Sequence, residues 1–556
     1  MTFETFIPPR SKTVLEVTGE VAADFETTKD KFLEIQPACD YSVAKNLSKV
    51  KGKFDSILIQ SALIGNMAKD ELIKLIKDAA AKLKERGTLI FTLENVGFIE
   101  NVKAILEGQP LKFKVTLTRV ELETAITESG SNLMRSLHAA RRVEIAQGIK
   151  DLAKIDTAVF TYIISSTPDE LPPKTMIQAV IGEKLVCAPI RIHTPNSFMV
   201  TEPNISTIAT EPSDSYRLFS ADRYTNRIFI NQRISFPSFT SGKQFFEQIK
   251  EIGYLFIEEI DDNPVLWREK YEKIGWINFI GVHGIQTSTE YLADFLRQYN
   301  PNVKVFANHL RRILPLRDFS KPNDTVTIFF GALNRDKDFE EILPVINDFA
   351  QKYGDKLAFK IIANKELFDA INSNNKTLVG NPNYYNGQFV PYDIYEKTLR
   401  ESDIALLPLL DNEFNRAKSD LKFIECAGNG AVALASPVVY SQTLKDDENG
   451  FIFKDTKEFA EKLQVLIDNP DKRRKLATAA YEYVKHNRLL SQHYEERLDW
   501  YRELLAKLPE LNKETQARID KVAPNFKEEI KAIENEQARV EGISKPGAEI
   551  IIPNEW

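Results

Sequence analysis

NRAKSDLKFIECAGNGAVALAS, residues 415–436, decides how the rest of the chain is understood. Leu421, Ile424 and Ala427 recur at helical spacing and face one way, a Gly-containing turn follows, and AVALA (Ala431–Ala435) supplies a short buried strand. On the expected helix Lys418, Lys422 and Glu425 stand at i, i+4 and i+7 and share one face. Two ammonium groups so placed are unfavourable on a soluble helix unless an anion sits between them. Ser419 lies in the same first turn, where unpaired backbone N–H groups also favour an anion. A carboxylate one turn further on can accept hydrogen bonds from ribose hydroxyls. Together the set suits a nucleoside diphosphate, with phosphates at the lysines and sugar hydroxyls at Glu425. By charge pattern alone, the commoner meaning is a solvated face with Glu425 as an ion-pair partner.

Context favours the first meaning. The stretch resembles the donor-binding segment of GT-B glycosyltransferases, especially those related to retaining family four. There a helix bearing Ser, Lys and Glu is followed by a small-residue turn, a "G-x-x-x-x-A-S" strand and a loop ending "N-G". Gly430–Ser436 and Asp446–Phe451 (DDENGF) follow that pattern. One departure concerns the donor sugar. The family signature has two Glu residues eight positions apart, and the position eight before Glu425 is Ala417. The Glu that normally approaches the sugar is missing.

At 556 residues the chain is too long for one core and implies about three domains. Its 43% hydrophobic and 28% charged residues are those of an ordinary globular protein, with no apolar run of membrane-spanning length. The first residues, MTFETFIPPRSK, lack the apolar core of a signal peptide. Cys39, Cys187 and Cys426 are widely separated, which fits a reducing compartment without disulfides or zinc. A cytoplasmic location is expected. A net charge of −7 argues against nucleic-acid binding, so any anion must be held by local lysines.

The expected fold is α/β: three Rossmann-like parallel-sheet domains, the last two forming a GT-B pair, with a helical C-terminal extension. In residues 1–168, KTVLEV (Lys12–Val17) and FDSILIQ (Phe54–Gln60) are strands, Lys69–Lys84 a helix ended by Gly87, and Thr88–Leu93 and Asp156–Ser165 further strands. The run from Phe54 to Asn95 resembles the centre of a class I S-adenosylmethionine methyltransferase. Those enzymes follow strand one with a Gly-rich turn. Here the turn is Thr18-Gly19-Glu20-Val21-Ala22, with one Gly and a carboxylate, so S-adenosylmethionine binding is not expected and a scaffold role is. Asp40 is the residue that could meet a cofactor ribose.

Pro172-Pro173 marks a linker into the acceptor domain, residues 172–320. Expected strands are Lys184–Ile192, Arg227–Gln232, Tyr254–Ile260, Trp276–Ile280 and Val303–Ala307. The order resembles the acceptor half of a GT-B enzyme, and FIEEIDDNP (Phe256–Pro264) looks like its "E-x-D-D" strand end. Asp261 and Asp262 stand where α/β sheets place their sites, and either could serve an acceptor hydroxyl or cap the following helix. Arg191 and Arg233 are acceptor-side cations or surface ion-pair partners. His193, His283 and His309 lack metal-ligand spacing, and no metal is expected.

The donor domain, residues 321–490, begins with TVTIFFG (Thr325–Gly331). The resemblance implies that the turn at Gly331 lets a diphosphate approach backbone, and that Arg335 and Lys337 neutralise it. An amphipathic helix is expected over Phe339–Tyr353, strands over Leu357–Ala363 and Ser402–Leu407, and a nucleobase-contacting "F-x-P" turn over Gln388–Ile394. Two helices broken at Asn469-Pro470 close the domain, and residues 491–556 are expected to return to the acceptor domain as a crossover helix with a tail.

The chemistry implied is transfer of a sugar from a nucleotide-diphosphate sugar to a glycan, lipid-linked or protein acceptor in surface glycoconjugate synthesis, with retention of configuration. Lys337, Lys422 and Asp262 are the expected catalytic groups. Gly331, Arg335, Lys337, Lys418, Ser419, Lys422 and Glu425 would bind the donor, and no cofactor is required. A bifunctional sugar methyltransferase and an inactive glycosyltransferase-like adaptor are the alternatives. Peripheral membrane contact, and self-association through the N-terminal domain or the tail, stay open.

Overall fold

The computed structural model describes residues 3–19, 26–64, 67–94, 117–140, 159–182, 187–212, 218–319, 325–331, 336–380 and 390–532. Arg335, Glu20–Ala22, Gln388-Phe389 and the tail beyond residue 532 lie outside the described residues. Among the described residues three six-stranded sheets carry the fold, with the second and third forming a GT-B-like Rossmann pair. The chain divides into two compact units. One comprises Met1–Ile177, Pro195–Ile208 and Phe219–Arg227, and the other Gln178–Thr194, Ala209–Leu218 and Ile228–Trp556. No helix among the described residues is long and apolar enough to cross a membrane.

The first sheet runs, in space, Asp40–Ala44, Thr13–Val17, Phe54–Ile59, Leu83–Glu94, Val159–Thr167 and Asn132–Ala140. The first four strands are parallel and the last two join antiparallel. The helix Lys69–Ala80 buries Leu72, Ile76 and Ala79 on one stripe, as its spacing requires. Two expectations fail here. The helix ends before Leu83, and Gly87 is inside a strand, where the register shifts; an added Cβ would lie 2.7 Å from Leu83 Cβ and from the Lys84 carbonyl oxygen. Asp40 opens its strand instead of following it, so it stands at the opposite end from a cofactor turn.

The second sheet runs Val303–Val305, Gly284–Thr287, Leu255–Glu259, Asn226–Gln232, Thr175–Ile181 and Ile205–Thr210. Its apolar core includes Phe229, Phe246, Phe256 and Phe279. The expected strand over Lys184–Ile192 is instead helical where described: Pro189–His193 is a π-helical run leading into the helix Thr194–Met199. Trp276–Ile280 is also not a strand. Trp276 is left-handed (φ +56°) and Ile277–Ile280 is a helical turn, so the apolar run is a buried connector. A run of this length cannot be assigned by periodicity.

The third sheet, parallel throughout, runs Lys376–Val379, Leu357–Ile362, Val326–Phe330, Ile404–Leu407, Val432–Ala435 and Phe451–Ile452. The helix expected from Phe339 divides into Asp336–Phe339 and Leu343–Tyr353, the latter with Pro344 in its first turn. The C-terminal helices Tyr494–Ala506 and Leu508–Val522 return to the second sheet: Tyr501 Oη donates to Gln286 Oε1 at 2.6 Å, and His283 Nε2 meets Asn512 Oδ1 at 2.9 Å. Pro509 separates them, because a proline is tolerated only in a helix's first turn.

Candidate functional site

The stretch at 415–436 does not form one long helix. Glu413–Arg416 is a short turn of helix, and the next helix starts only at Leu421. Lys418 and Ser419 therefore sit in a connector, and the shared face with Lys422 and Glu425 does not exist. The two lysines take different carboxylate partners. Lys418 Nζ lies 2.8 Å from Asp262 Oδ1, at the end of the second sheet, while Lys422 Nζ lies 3.0 Å from Glu425 Oε2. Ser419 Oγ accepts from Asn308 Nδ2 at 2.9 Å, so it is tied to the second sheet.

Glu425 is buried, with its helix packed under the strand Val432–Ala435. Its Oε2 accepts from the Tyr395 hydroxyl at 2.9 Å, and Lys422 Nζ donates to that same hydroxyl oxygen at 2.9 Å. Burial and the neighbouring Glu425 carboxylate push the Tyr395 phenol well above its ordinary range, so it acts as a neutral donor. Lys422 also lies 4.4 Å from the Tyr395 ring centroid. Gly331 ends the strand Val326–Phe330 against this cluster: a Cβ there would come 3.2 Å from Tyr395 and would run into the Phe329 ring. The absence of a side chain at 331 is thus required by aromatic packing. Tyr392, one helical turn before Tyr395, leaves its ring 54% exposed beside it.

Lys337 is exposed at the start of the third domain's first helix. Its neighbour Asp338 is buried and accepts from Leu410 N at 2.8 Å and Asn415 Nδ2 at 3.0 Å. That carboxylate clamps the short helix bearing Lys337 to the segment leading into Lys418.

On the second sheet, Asp262 lies between two cations, with Arg233 Nη2 at 3.1 Å from Oδ2 and Lys418 on Oδ1. Asp261 Oδ1 is 3.6 Å from Arg233 Nη1. Neither aspartate caps the following turn; Asn263 does, through Val265 N. Arg191 differs from its expected role. It is 1% exposed, and its donors go to Glu259, Asn308 Oδ1 and the carbonyls of Thr287 and Phe306. No N–H remains for an acceptor, so Arg191 positions Asn308 and through it Ser419. Ala417, where the family-four resemblance would lead one to expect a Glu, has no room for one. Ala417 is buried in the second domain's core, and its carbonyl accepts from Thr289 Oγ1 at 3.3 Å. A carboxylate at 417 would be buried in that apolar core, which costs free energy.

Tyr395 and Asn308 escape sequence reasoning. Nothing in YDIYEK signals a phenol aimed at Glu425, and Asn308 belongs to a turn whose contacts only the folded chain supplies. In the first unit, Glu16 is buried and holds Tyr41 Oη at 2.8 Å and Gln60 Nε2 at 2.7 Å, with burial raising its pKa. This carboxylate is satisfied internally at the strand end where a methyltransferase would meet cofactor. Among the described residues no group of three or more His, Cys, Asp or Glu could hold a metal ion.

A family profile described as "Glycosyl transferase-like" matches residues 357–503, the stretch that includes Tyr395, Lys418, Lys422 and Glu425. Comparison with curated proteins found no match. Among solved structures, a glycosyltransferase from Rickettsia africae ESF-5 is 12% identical, covers 60% of this chain and 99% of its own, and has a TM-score of 0.43. Anabaena Alr3699/HepE in complex with UDP is 11% identical over 59% of this chain and 99% of its own, with a TM-score of 0.39. TarM is 12% identical over 88% of this chain and 98% of its own, also at 0.39.

Proposed function

We propose that the chain transfers a sugar from a nucleoside-diphosphate sugar to a glycan, lipid-linked or protein acceptor. The observation that carries this is the Tyr395–Lys422–Glu425 cluster, which lies within the matched stretch and beside the strand end at Gly331. The domains that would do this are residues 172–320 for the acceptor and 321–490 for the donor, with 1–168 as scaffold and 491–556 as the return.

Glu425 would take the ribose hydroxyls in place of the Tyr395 hydroxyl. Breaking the anomeric C–O bond leaves negative charge on the departing diphosphate, and Lys422, with Lys337 and Lys418, would neutralise it. Preorganised donors of this kind contribute about 3 kcal/mol each to transition-state stabilisation. Lys418 must then exchange its Asp262 partner for phosphate, which frees the Asp262 carboxylate to receive an acceptor proton. Donor charge and acceptor activation are coupled through this ion pair.

Thermal unfolding with a panel of nucleotide sugars tests the reading. A ligand at about a hundred times its dissociation constant stabilises the native state by about 2.7 kcal/mol, which is readily measured. At least one nucleoside diphosphate or its sugar should raise the transition in wild type and fail to do so in Glu425→Ala. A panel without any such shift defeats the proposal.

A further inference from the structure

Beside Asp261 and Asp262 the second domain opens into a cavity of about 900 Å³, lined by Gly182, Arg233, Phe236, Trp267, Lys270 and Lys273 among others. Three features set it apart from an accidental hollow. Arg233 holds a left-handed backbone (φ +59°) at the turn leaving its strand, a conformation unfavourable for a non-glycine residue. Its guanidinium is fixed by Asp261, Asp262 and Cys187 Sγ and lies 5.8 Å from the Trp267 ring centroid. Gly182 closes the wall behind it, since a Cβ there would come 2.8 Å from the Gln232 carbonyl oxygen.

The rest of the lining combines apolar surface with positive charge. Leu266 and Trp267 are 52% and 38% exposed on the short turn Pro264–Trp267. Arg268, Lys270 and Lys273 follow, with Glu269 the one lining carboxylate among the described residues. Arg268 pairs with Glu272, but Lys270 and Lys273 make no ion pair among the described residues. An exposed indole beside unpaired ammonium groups and a fixed guanidinium is suited to a ring with C–H faces that also bears an anion. Asn263 Nδ2 donates to the Glu413 carbonyl at 3.2 Å, tying this turn to the segment ahead of Lys418.

We infer that this cavity is the acceptor subsite, and that it selects a sugar carrying a phosphate or carboxylate, with the ring against Trp267 and the anion at Lys270 and Lys273. Its identity as an acceptor subsite rests on the donor proposal above; its binding of an anionic sugar does not.

Calorimetric titration of the full chain with glucose 6-phosphate, glucuronate, glucose, inorganic phosphate and UDP separates the two. The anionic sugars should bind at least roughly tenfold tighter than glucose or phosphate. The double variant Lys270→Glu/Lys273→Glu, exposed and remote from the core, should weaken the anionic sugars by about tenfold or more while leaving UDP within about twofold. Trp267→Ala should weaken all three sugars, and Lys422→Ala should weaken UDP alone. Equal binding of glucose and glucose 6-phosphate, phosphate binding as tight as the sugar phosphate, or insensitivity to the charge reversal in a folded variant overturns the inference. If UDP fails to bind while the sugar phosphate behaves as stated, the pocket stands and the donor reading falls. Flotation with phosphatidylcholine vesicles carrying phosphatidylinositol, competed by glucose 6-phosphate, would identify a lipid headgroup as the source. Soluble binding without flotation would identify a free sugar.

Discussion

The Tyr395 hydroxyl donates to Glu425 Oε2 across 2.9 Å, in the position that the carboxylate would otherwise offer to a ribose. Lys422 donates to both groups, so the three side chains form a closed triangle in which Tyr395 and Glu425 are buried and Lys422 is half-buried. Under the proposed function, the ribose of an entering nucleotide replaces the phenol's bond with its own hydroxyls.

Removing that hydroxyl tests the exchange. Tyr395→Phe keeps the ring packed against Phe329, whose centroid is 5.7 Å away, but leaves Glu425 one donor short. The free protein should lose about 1–2 kcal/mol of stability, because a buried acceptor is left under-satisfied. UDP should then stabilise the variant more than it stabilises wild type, since its ribose supplies the missing donors. Thermal unfolding with and without UDP reads both effects.

Asp262→Asn separates charge from shape at the second sheet. The side chain keeps an oxygen for Lys418 or Arg233 but can no longer take a proton. Sugar transfer should fall by about a hundredfold or more, the usual range for loss of a general base, while stabilisation by UDP stays within error. An unchanged transfer rate would leave Asp262 as a link between the two sheets and nothing more.

His283 ties the second sheet to the returning C-terminal helix. Its Nδ1 accepts from Phe256 N at 2.8 Å, which leaves Nε2 as the donor to Asn512. Burial, with a smaller contribution from Arg518, pulls its pKa down to about 4. The unfolded chain therefore binds a proton that the folded chain refuses between pH 6.5 and about 4. The neutral imidazole's contribution is complete above that window and is lost as pH falls through it. Urea unfolding should show wild type losing about 2 kcal/mol more than His283→Gln between pH 7 and pH 5.

Much of the third domain is legible in the sequence because its strands are short, largely apolar and separated by glycine, proline or capping residues. AVALA, TVTIFFG and the break at Asn469-Pro470 fall where those signals place them. The second domain is harder. Trp276–Ile280 and Cys187–Ile192 are as apolar as strands but fold as helical turns, because apolar runs this short do not let the two periodicities be told apart. Within the site, Lys422 and Glu425 come from one helix and their proximity follows from spacing. Lys418 does not share that helix, because Lys418–Asp420 forms a connector whose ends are held by Asp262, Asn308 and Arg488. Partners far away in sequence, such as Tyr395 for Glu425, leave no local trace.

The rate of donor turnover in Lys422→Ala and Glu425→Ala proteins, measured as sugar transfer or hydrolysis of the nucleotide sugar that binds, addresses the central claim most directly. Loss of Lys422 should slow the reaction on the order of a hundredfold with the fold intact, and loss of Glu425 should weaken the donor. Folded variants that turn over the donor at the wild-type rate would contradict the account.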